Sequence, residues 1–263
     1  LLIMNRNLKW LLIIFFSALI LIRIFSLNLN FYTDETVFAL EAKDGLENFG
    51  KIVSEHPPVP IFLYSLFGEV FGNSNFAIRL VPFVFAMLSI LLTYLLAKEI
   101  FDKRAAIASV LVMAVSFWHV LASLQADIDG SMLVFMFLAA FFCYVRFEKT
   151  KDSIWIFLTG IFFGLSLLTK LPGVLVFPIL GLYAVFSRKN FRDVLWQFFV
   201  IGIIGTFVFF GGLSLSYLAG FNMFDAFWHA TGATSFFGSA FFGSNDKLKP
   251  SLRSSALALI TRN

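Results

Sequence analysis

The sequence is poor in almost everything a water-soluble enzyme uses on its surface. Only 14% of its 263 residues are charged, while 59% are hydrophobic and 37 are phenylalanine. A chain so short of charge and so rich in apolar residues (mean hydropathy +0.88) takes lipid as its solvent. Cysteine is nearly absent. Cys143 stands alone inside an apolar run, which excludes an internal disulfide and a thiolate metal site. No glycine-rich phosphate loop opens a helix, so nothing points to a soluble nucleotide-sugar donor. The net charge of +4 comes from Lys and Arg in short clusters between apolar runs, where membrane orientation explains them, and a nucleic-acid partner is excluded. The apolar runs do not alternate with polar residues, so a membrane barrel is excluded as well.

What remains is helices. Any segment crossing hydrocarbon must satisfy its own backbone polar groups, and about 20 apolar residues reach across a bilayer. Seven spans are predicted: Trp10 to Leu27, Phe76 to Leu96, Ala105 to Leu124, Gly130 to Val145, Ile154 to Leu168, Leu171 to Ser187 and Val194 to Leu218. The fifth and sixth are separated only by Thr169-Lys170-Leu171-Pro172, which predicts a tight helical hairpin. Arg6 and Lys9 precede the first span, yet no small-residue cleavage site follows Leu27, so a retained anchor is expected rather than a signal peptide. The expected fold class is therefore all-α and polytopic, with residues 1–218 as a transmembrane core. Residues 28–75 form a first outer loop, and 219–263, rich in Gly, Ser and Phe, begin a second outer loop that reads as truncated.

With the N-terminus inside, eleven Lys and Arg fall in four very short inner segments: Arg6 and Lys9; Lys98, Lys103 and Arg104; Arg146, Lys149 and Lys151; Arg188, Lys189 and Arg192. The longer outer loops hold only eight. This asymmetry predicts a cytoplasmic N-terminus. Eleven of the sixteen acidic residues then face outward, so the chemistry is expected on the extracytoplasmic side. In the first outer loop, Val37, Phe38, Leu40, Leu46 and Phe49 recur at near-helical spacing, and Ile61 to Phe71 forms a second such run after Pro57-Pro58. Both read as helices lying in the membrane interface.

Thr33-Asp34-Glu35 follows the first span closely. One of these carboxylates can serve as a general base toward an acceptor hydroxyl; equally, Thr33 can cap the next helix and the acids can complement its dipole. Asp127-Ile128-Asp129-Gly130 ends the third span. An N-cap accounts for Asp129 but not for Asp127, and the four carboxylates share one membrane depth. His56 (in Glu55-His56-Pro57-Pro58), Arg79 and Lys170 add cations on the same side, as an anionic lipid headgroup needs, although snorkelling also explains Arg79 and Lys170. Arg23, inside the first span, can offer the same charge or merely reach outward.

The order of these motifs, from Asp34-Glu35 through Glu55-His56-Pro57-Pro58, Ala77-Ile78-Arg79-Leu80 and Asp127-Ile128-Asp129-Gly130 to Leu168-Thr169-Lys170-Leu171-Pro172, resembles the N-terminal half of GT-C membrane glycosyltransferases. The nearest groups are the protein O-mannosyltransferases and the aminoarabinose transferases that modify lipid A. The resemblance runs from about Trp10 to Ser187. It implies transfer of a sugar from a polyprenyl- or dolichyl-phosphate donor to an acceptor hydroxyl at the outer face. Asp34 would lie nearest the reacting centre, with Glu35 beside it, Asp129 or Asp127 as the second acid, and His56, Arg79 and Lys170 at the donor phosphate. Members often carry Lys in place of His56 and Gly in place of Leu171. No cofactor is assigned; carboxylates suit Mg or Mn, and Asp127 and Asp129 are where a metal would be sought. The expected partners are the bilayer, the lipid-linked donor and a protein, lipid or glycan acceptor. A polytopic transporter or flippase is the alternative, because charges within a membrane also mark substrate pathways.

Overall fold

A computed structural model describes residues 6–31, 35–43, 58–127, 130–187 and 190–218. Among them all regular structure is helical: α1 (Arg6–Ser26), α2 (Glu35–Lys43), α3 (Pro58–Phe71), α4 (Asn75–Ile100), α5 (Lys103–Val115), α6 (Phe117–Ala122), α7 (Ser131–Thr150), α8 (Ser153–Thr169), a 3-10 turn (Leu171–Leu175), α9 (Val176–Phe186) and α10 (Phe191–Leu218). By length and composition α4, α7 and Phe191–Ser216 within α10 can each cross a membrane, and Ile14–Ser26, Pro58–Phe71, Ser153–Thr169 and Leu171–Phe186 are shorter apolar helices. Large apolar side chains such as Val112, Trp118, Phe186 and Phe207 stand exposed around the bundle. In an integral membrane protein that surface meets lipid rather than water. The chain is a polytopic, all-α membrane protein.

Cap residues mark where the polar boundaries fall. Ser74 accepts from the Ala77 amide at the start of α4, Asp102 from Ala105 at α5, and Asp152 from Ile154 at α8, each satisfying a donor that the helix itself leaves unpaired. At the end opposite Ser74, Glu99 pairs with Arg146 at 2.8 Å and Lys149 at 3.0 Å, tying α4 to α7. Arg146 also lies over the Trp155 ring, 5.3 Å from its centroid. The helices neighbour one another in the order α5, α4, α7, α8, α10, and α3 crosses behind them to touch α2, α4, α8 and α10.

The closest seam joins α8 to α10 and is built on glycine. A Cβ on Gly160 would lie 2.6 Å from Ile204 Cβ, one on Gly164 2.6 Å from Val208 Cβ, and one on Gly205 2.3 Å from Phe163 Cδ1. Without side chains at these places the two backbones approach closely, which is how helices associate in lipid. Beside this seam Tyr144, Phe163, Val176, Leu180 and Ile201 form a buried cluster. The Tyr144 hydroxyl donates to Gln197 Oε1 at 2.8 Å, so α7 and α10 are also pinned by a satisfied polar contact.

The predicted third span is interrupted. At Ser116 the backbone turns to ψ 125, which ends α5 and starts the short α6. No proline or glycine causes this break. Ending α5 there frees carbonyls of its last turn, and the buried Arg23 guanidinium donates to one of them, Ala114 O, at 2.8 Å, with His119 Nδ1 at 3.5 Å. A cation at a helix C-terminus suits the dipole. Arg23 thus turns inward to α5 rather than outward to a headgroup. The predicted tight reversal between the fifth and sixth spans is present: a Cβ on Gly173 would meet the Ser166 carbonyl at 2.4 Å, so the 3-10 turn folds back onto α8. Beyond it α9 packs on α7 and α10.

Candidate active site

The start of α4 carries Asn75, whose amide donates to Leu29 O at 3.3 Å, and, one turn on, Arg79. Ala77 and Ile78 beside it are fully buried, and the turn carries Arg79 inward with only 5% of its surface exposed. Its counter-ion is Glu35, the first residue of α2, 4% exposed. The guanidinium grips it with two bonds, Nε to Oε1 at 3.1 Å and Nη2 to Oε2 at 2.7 Å. Nη1 donates to Leu29 O at 2.7 Å and Nη2 to Asn30 O at 2.9 Å, and the Phe31 ring centroid lies 5.1 Å from Cζ. Each guanidinium nitrogen is therefore engaged, and the fork fixes direction as well as distance.

The same carboxylate reaches further. The Ala126 amide donates to Glu35 Oε1 at 2.9 Å, and one residue on, Asp127 O accepts the Tyr64 hydroxyl at 2.9 Å. Burial first, then the Asp127 and Glu35 carboxylates, hold the Tyr64 phenol well above its ordinary pKa, so it remains a neutral donor. Phe38, Ala39, Ala42, Tyr64, Ile78, Val81, Ala126 and Met132 close the apolar cluster beneath. Five pieces of chain are joined in this way at one end of the bundle: the exit of α1, the start of α2, the middle of α3, the start of α4 and the strap before α7.

Of the acidic candidates, Glu35 and Asp127 lie at this node; Asp34 and Asp129 fall outside the described residues, adjacent to Glu35 and two residues past Asp127. His56 is also outside them, two residues ahead of Pro58 at the start of α3. Lys170, half-buried, leaves α8 in extended conformation two residues past Leu168, and Leu168 packs with Ile61 and Leu213 in a cluster that includes Val59. The start of α3 and the end of α8 are thus neighbours. Arg79, expected at the donor phosphate, is taken up by Glu35 and two carbonyls; Glu35, expected beside the reacting centre, is its counter-ion. Among the described residues no group of three or more His, Cys, Asp or Glu could hold a metal ion.

A cavity of about 940 Å³ opens between α5–α6 and the start of α7, with Asp127, Gln125, Ser131, His119 and Trp118 in its wall together with apolar Val112, Met113 and Val134. Among the described residues, Asp127 is the one predicted site residue on it. Sequence reasoning missed Gln125 and Ser131, whose only signal is closeness to Asp127 in a chain short of polar residues, and Tyr64, which no motif marks.

The bundle and the node at one end of it define a GT-C-type membrane fold. The crystal structure of ArnT from Cupriavidus metallidurans in the apo state superposes with a TM-score of 0.64 over 80% of this chain and 43% of that one, at 20% identity. Residues 55–211 match the family model described as dolichyl-phosphate-mannose-protein mannosyltransferase, and the chain belongs to that family. Among curated relatives, putative mannosyltransferase YycA of Bacillus subtilis is 28% identical over 170 residues, 64% of this chain and 24% of its own. Dolichyl-phosphate-mannose–protein mannosyltransferase 3 of Saccharomyces cerevisiae is 24% identical over 172 residues, 55% of this chain and 23% of its own. The chain spans about a quarter of the length of these relatives.

Proposed function

We propose that this chain is the membrane core of a glycosyltransferase that moves a sugar from a polyprenyl- or dolichyl-phosphate donor to an acceptor hydroxyl on the extracytoplasmic side. The observation that carries the reading is the Glu35 node. By joining the start of α2 to the strap before α7, it draws together segments 91 residues apart. In the sequence Asp34 directly precedes Glu35, and Asp129 lies two residues past Asp127. The family membership and the asymmetry of Lys and Arg support the chemistry and its sidedness.

The roles follow from what such a transfer needs. A carboxylate accepts the acceptor's proton as its oxygen attacks the anomeric carbon, and cations stabilise the departing lipid phosphate. Both must stand where the hydrocarbon tail stays in the bilayer. Asp34 is the proposed base, Asp127 and Asp129 the second acidic pair, and His56 and Lys170 the phosphate contacts at the neighbouring ends of α3 and α8. Glu35 and Arg79 act as positioning residues. Mg or Mn chemistry is not required by this scheme.

Membranes carrying the full-length protein, incubated with radiolabelled polyprenyl-phosphate sugar, test it: Asp34→Asn abolishes transfer while insertion is unchanged. Equal transfer by wild type and variant rejects Asp34 as base. The break at Ser116 is the one feature that favours a transporter or flippase, which interrupts helices within the membrane. Release of intact, unhydrolysed donor across a sealed vesicle, without transfer, would support that second reading.

A further inference from the structure

Arg23 is a buried cation in an apolar stretch of α1, 2% exposed, and among the described residues it forms no ion pair. A charge in that position is costly, and leucine or methionine would anchor α1 without it. What arginine adds is direction. Its Nη2 donates to Ala114 O, in the last turn of α5, at 2.8 Å, and lies 3.5 Å from Nδ1 of His119, in α6. Nδ1 accepts when the ring proton is on Nε2. One guanidinium nitrogen thus touches both sides of the break at Ser116.

Little else fixes the angle of α6. None of its six side chains is buried, and a short element that buries so little is held mainly at its ends. One end is the Arg23 contact. The other is the strap, where the Ala126 amide donates to Glu35 Oε1 at 2.9 Å. Residues from both sides of the break line the cavity of about 940 Å³: Val112 and Met113 before it, Trp118, His119, Leu121 and Ala122 after it, with Asp127 of the strap beyond them. The angle at Ser116 therefore sets the width of that space.

We infer that Arg23 is a positioning residue for the transfer: by holding Ala114 O and His119 together it sets the angle between α5 and α6, and with it the width of the cavity and the position of the strap that carries Asp127. The inference rests on the glycosyltransferase reading above. Arg23 touches no substrate in this role. It acts through the break at Ser116, while Glu35 holds the same strap from its other end.

The test uses full-length protein in nanodiscs, with Cys143→Ala throughout and spin labels at Phe117→Cys on α6 and Phe157→Cys on α8, both exposed and outside the cavity wall. In Arg23→Met and in His119→Leu the distribution of distances between the labels should broaden and its centre should shift. Transfer from polyprenyl-phosphate mannose, measured without labels, should lose at least about tenfold in kcat, since a displacement of about 1 Å can cost about a hundredfold, while KM for that donor stays within about twofold. His119→Asn, which places an amide oxygen where Nδ1 stands, should restore both the distances and kcat. Were Arg23 only an anchor for α1, His119→Leu would leave the Ala114 bond intact and match wild type, and that result overturns the inference. Broadened distances with unchanged kcat overturn it too, and so does a loss that falls on KM alone, which would make Arg23 a donor contact. If Arg23→Met does not fold, His119→Leu decides. If wild type never transfers the sugar, the glycosyltransferase reading has failed, and the distances alone decide whether Arg23 holds the break.

Discussion

Glu35→Gln replaces one oxygen by an NH2 group and changes little else. Glu35 Oε1 accepts from Arg79 Nε and from the Ala126 amide, and Oε2 accepts from Arg79 Nη2. Whichever way the new amide is turned, its NH2 faces a donor, and the Arg79 cation keeps no counter-charge in a site where both side chains are about 95% buried. Breaking a buried pair by removing one partner costs about 3–5 kcal/mol. At about 2–4 °C per kcal/mol for a chain of this size, the melting point should fall on the order of 10 °C. Replacing both partners by apolar residues of similar volume, Glu35→Leu with Arg79→Met, should recover most of that loss, because no buried charge is then stranded. Activity should not recover, since nothing directional would hold the start of α2 against the strap before α7. The assay is thermal unfolding in nanodiscs beside transfer of a radiolabelled lipid-linked sugar. A single variant that melts with wild type, or a double variant that transfers normally, refutes the positioning role.

Gly164→Leu should prevent the α8–α10 seam from closing, because even a Cβ lies 2.6 Å from Val208 Cβ and 2.7 Å from Gly205 O; loss of monodisperse protein on size exclusion reports it, with Gly164→Ala milder, at about 1–3 kcal/mol. Arg23→Met removes a charged hydrogen bond to Ala114 O and should cost about 1.5–3 kcal/mol, read as a lower melting point; an unchanged melting point with weakened lipid-phosphate binding would instead make Arg23 a headgroup contact. Tyr64→Phe deletes the bond to Asp127 O, about 1 kcal/mol, and should lower kcat with little change in KM for donor. If KM rises alone, the strap is not what Tyr64 supports.

The membrane helices were legible because hydrocarbon imposes one rule on every span, and the spans expected around Phe76, Gly130 and Val194 all match long helices. The break at Ser116 was not. Apart from Ser116 and His119 the local sequence there is apolar, and the structure couples the break to Arg23, more than ninety positions away. The glycines of α8 at 160 and 164 carried a four-residue spacing that marks close helix approach in lipid, but its partner surface on α10 has no motif. That Glu35, Arg79 and the strap carrying Asp127 lie at one end is consistent with the topology read from the sequence. Which cation meets which acid did not follow from it. Glu35 and Arg79 are of opposite charge and both lie next to apolar sequence at a membrane boundary, and that was the available sign that they satisfy each other.

The two kinds of contact divide the work by solvent. Within the bilayer, burying an apolar face against another helix gains little over leaving it in lipid, so the α8–α10 seam depends on shape, and glycine supplies it. Shape alone lets helices slide. At the end of the bundle where Arg79 and Glu35 meet, several helices begin or end over short distances, and each has to be fixed in register as well as in proximity. A forked ion pair specifies register, since Arg79 can satisfy Glu35, Leu29 O and Asn30 O together in only one arrangement of α1, α2 and α4. Adding the Ala126 amide extends that register to the strap before α7. The proposed site, with its acids drawn from two such segments, needs this more than it needs stability, and a buried pair with little net stabilising value suits that need better than well-packed leucines would.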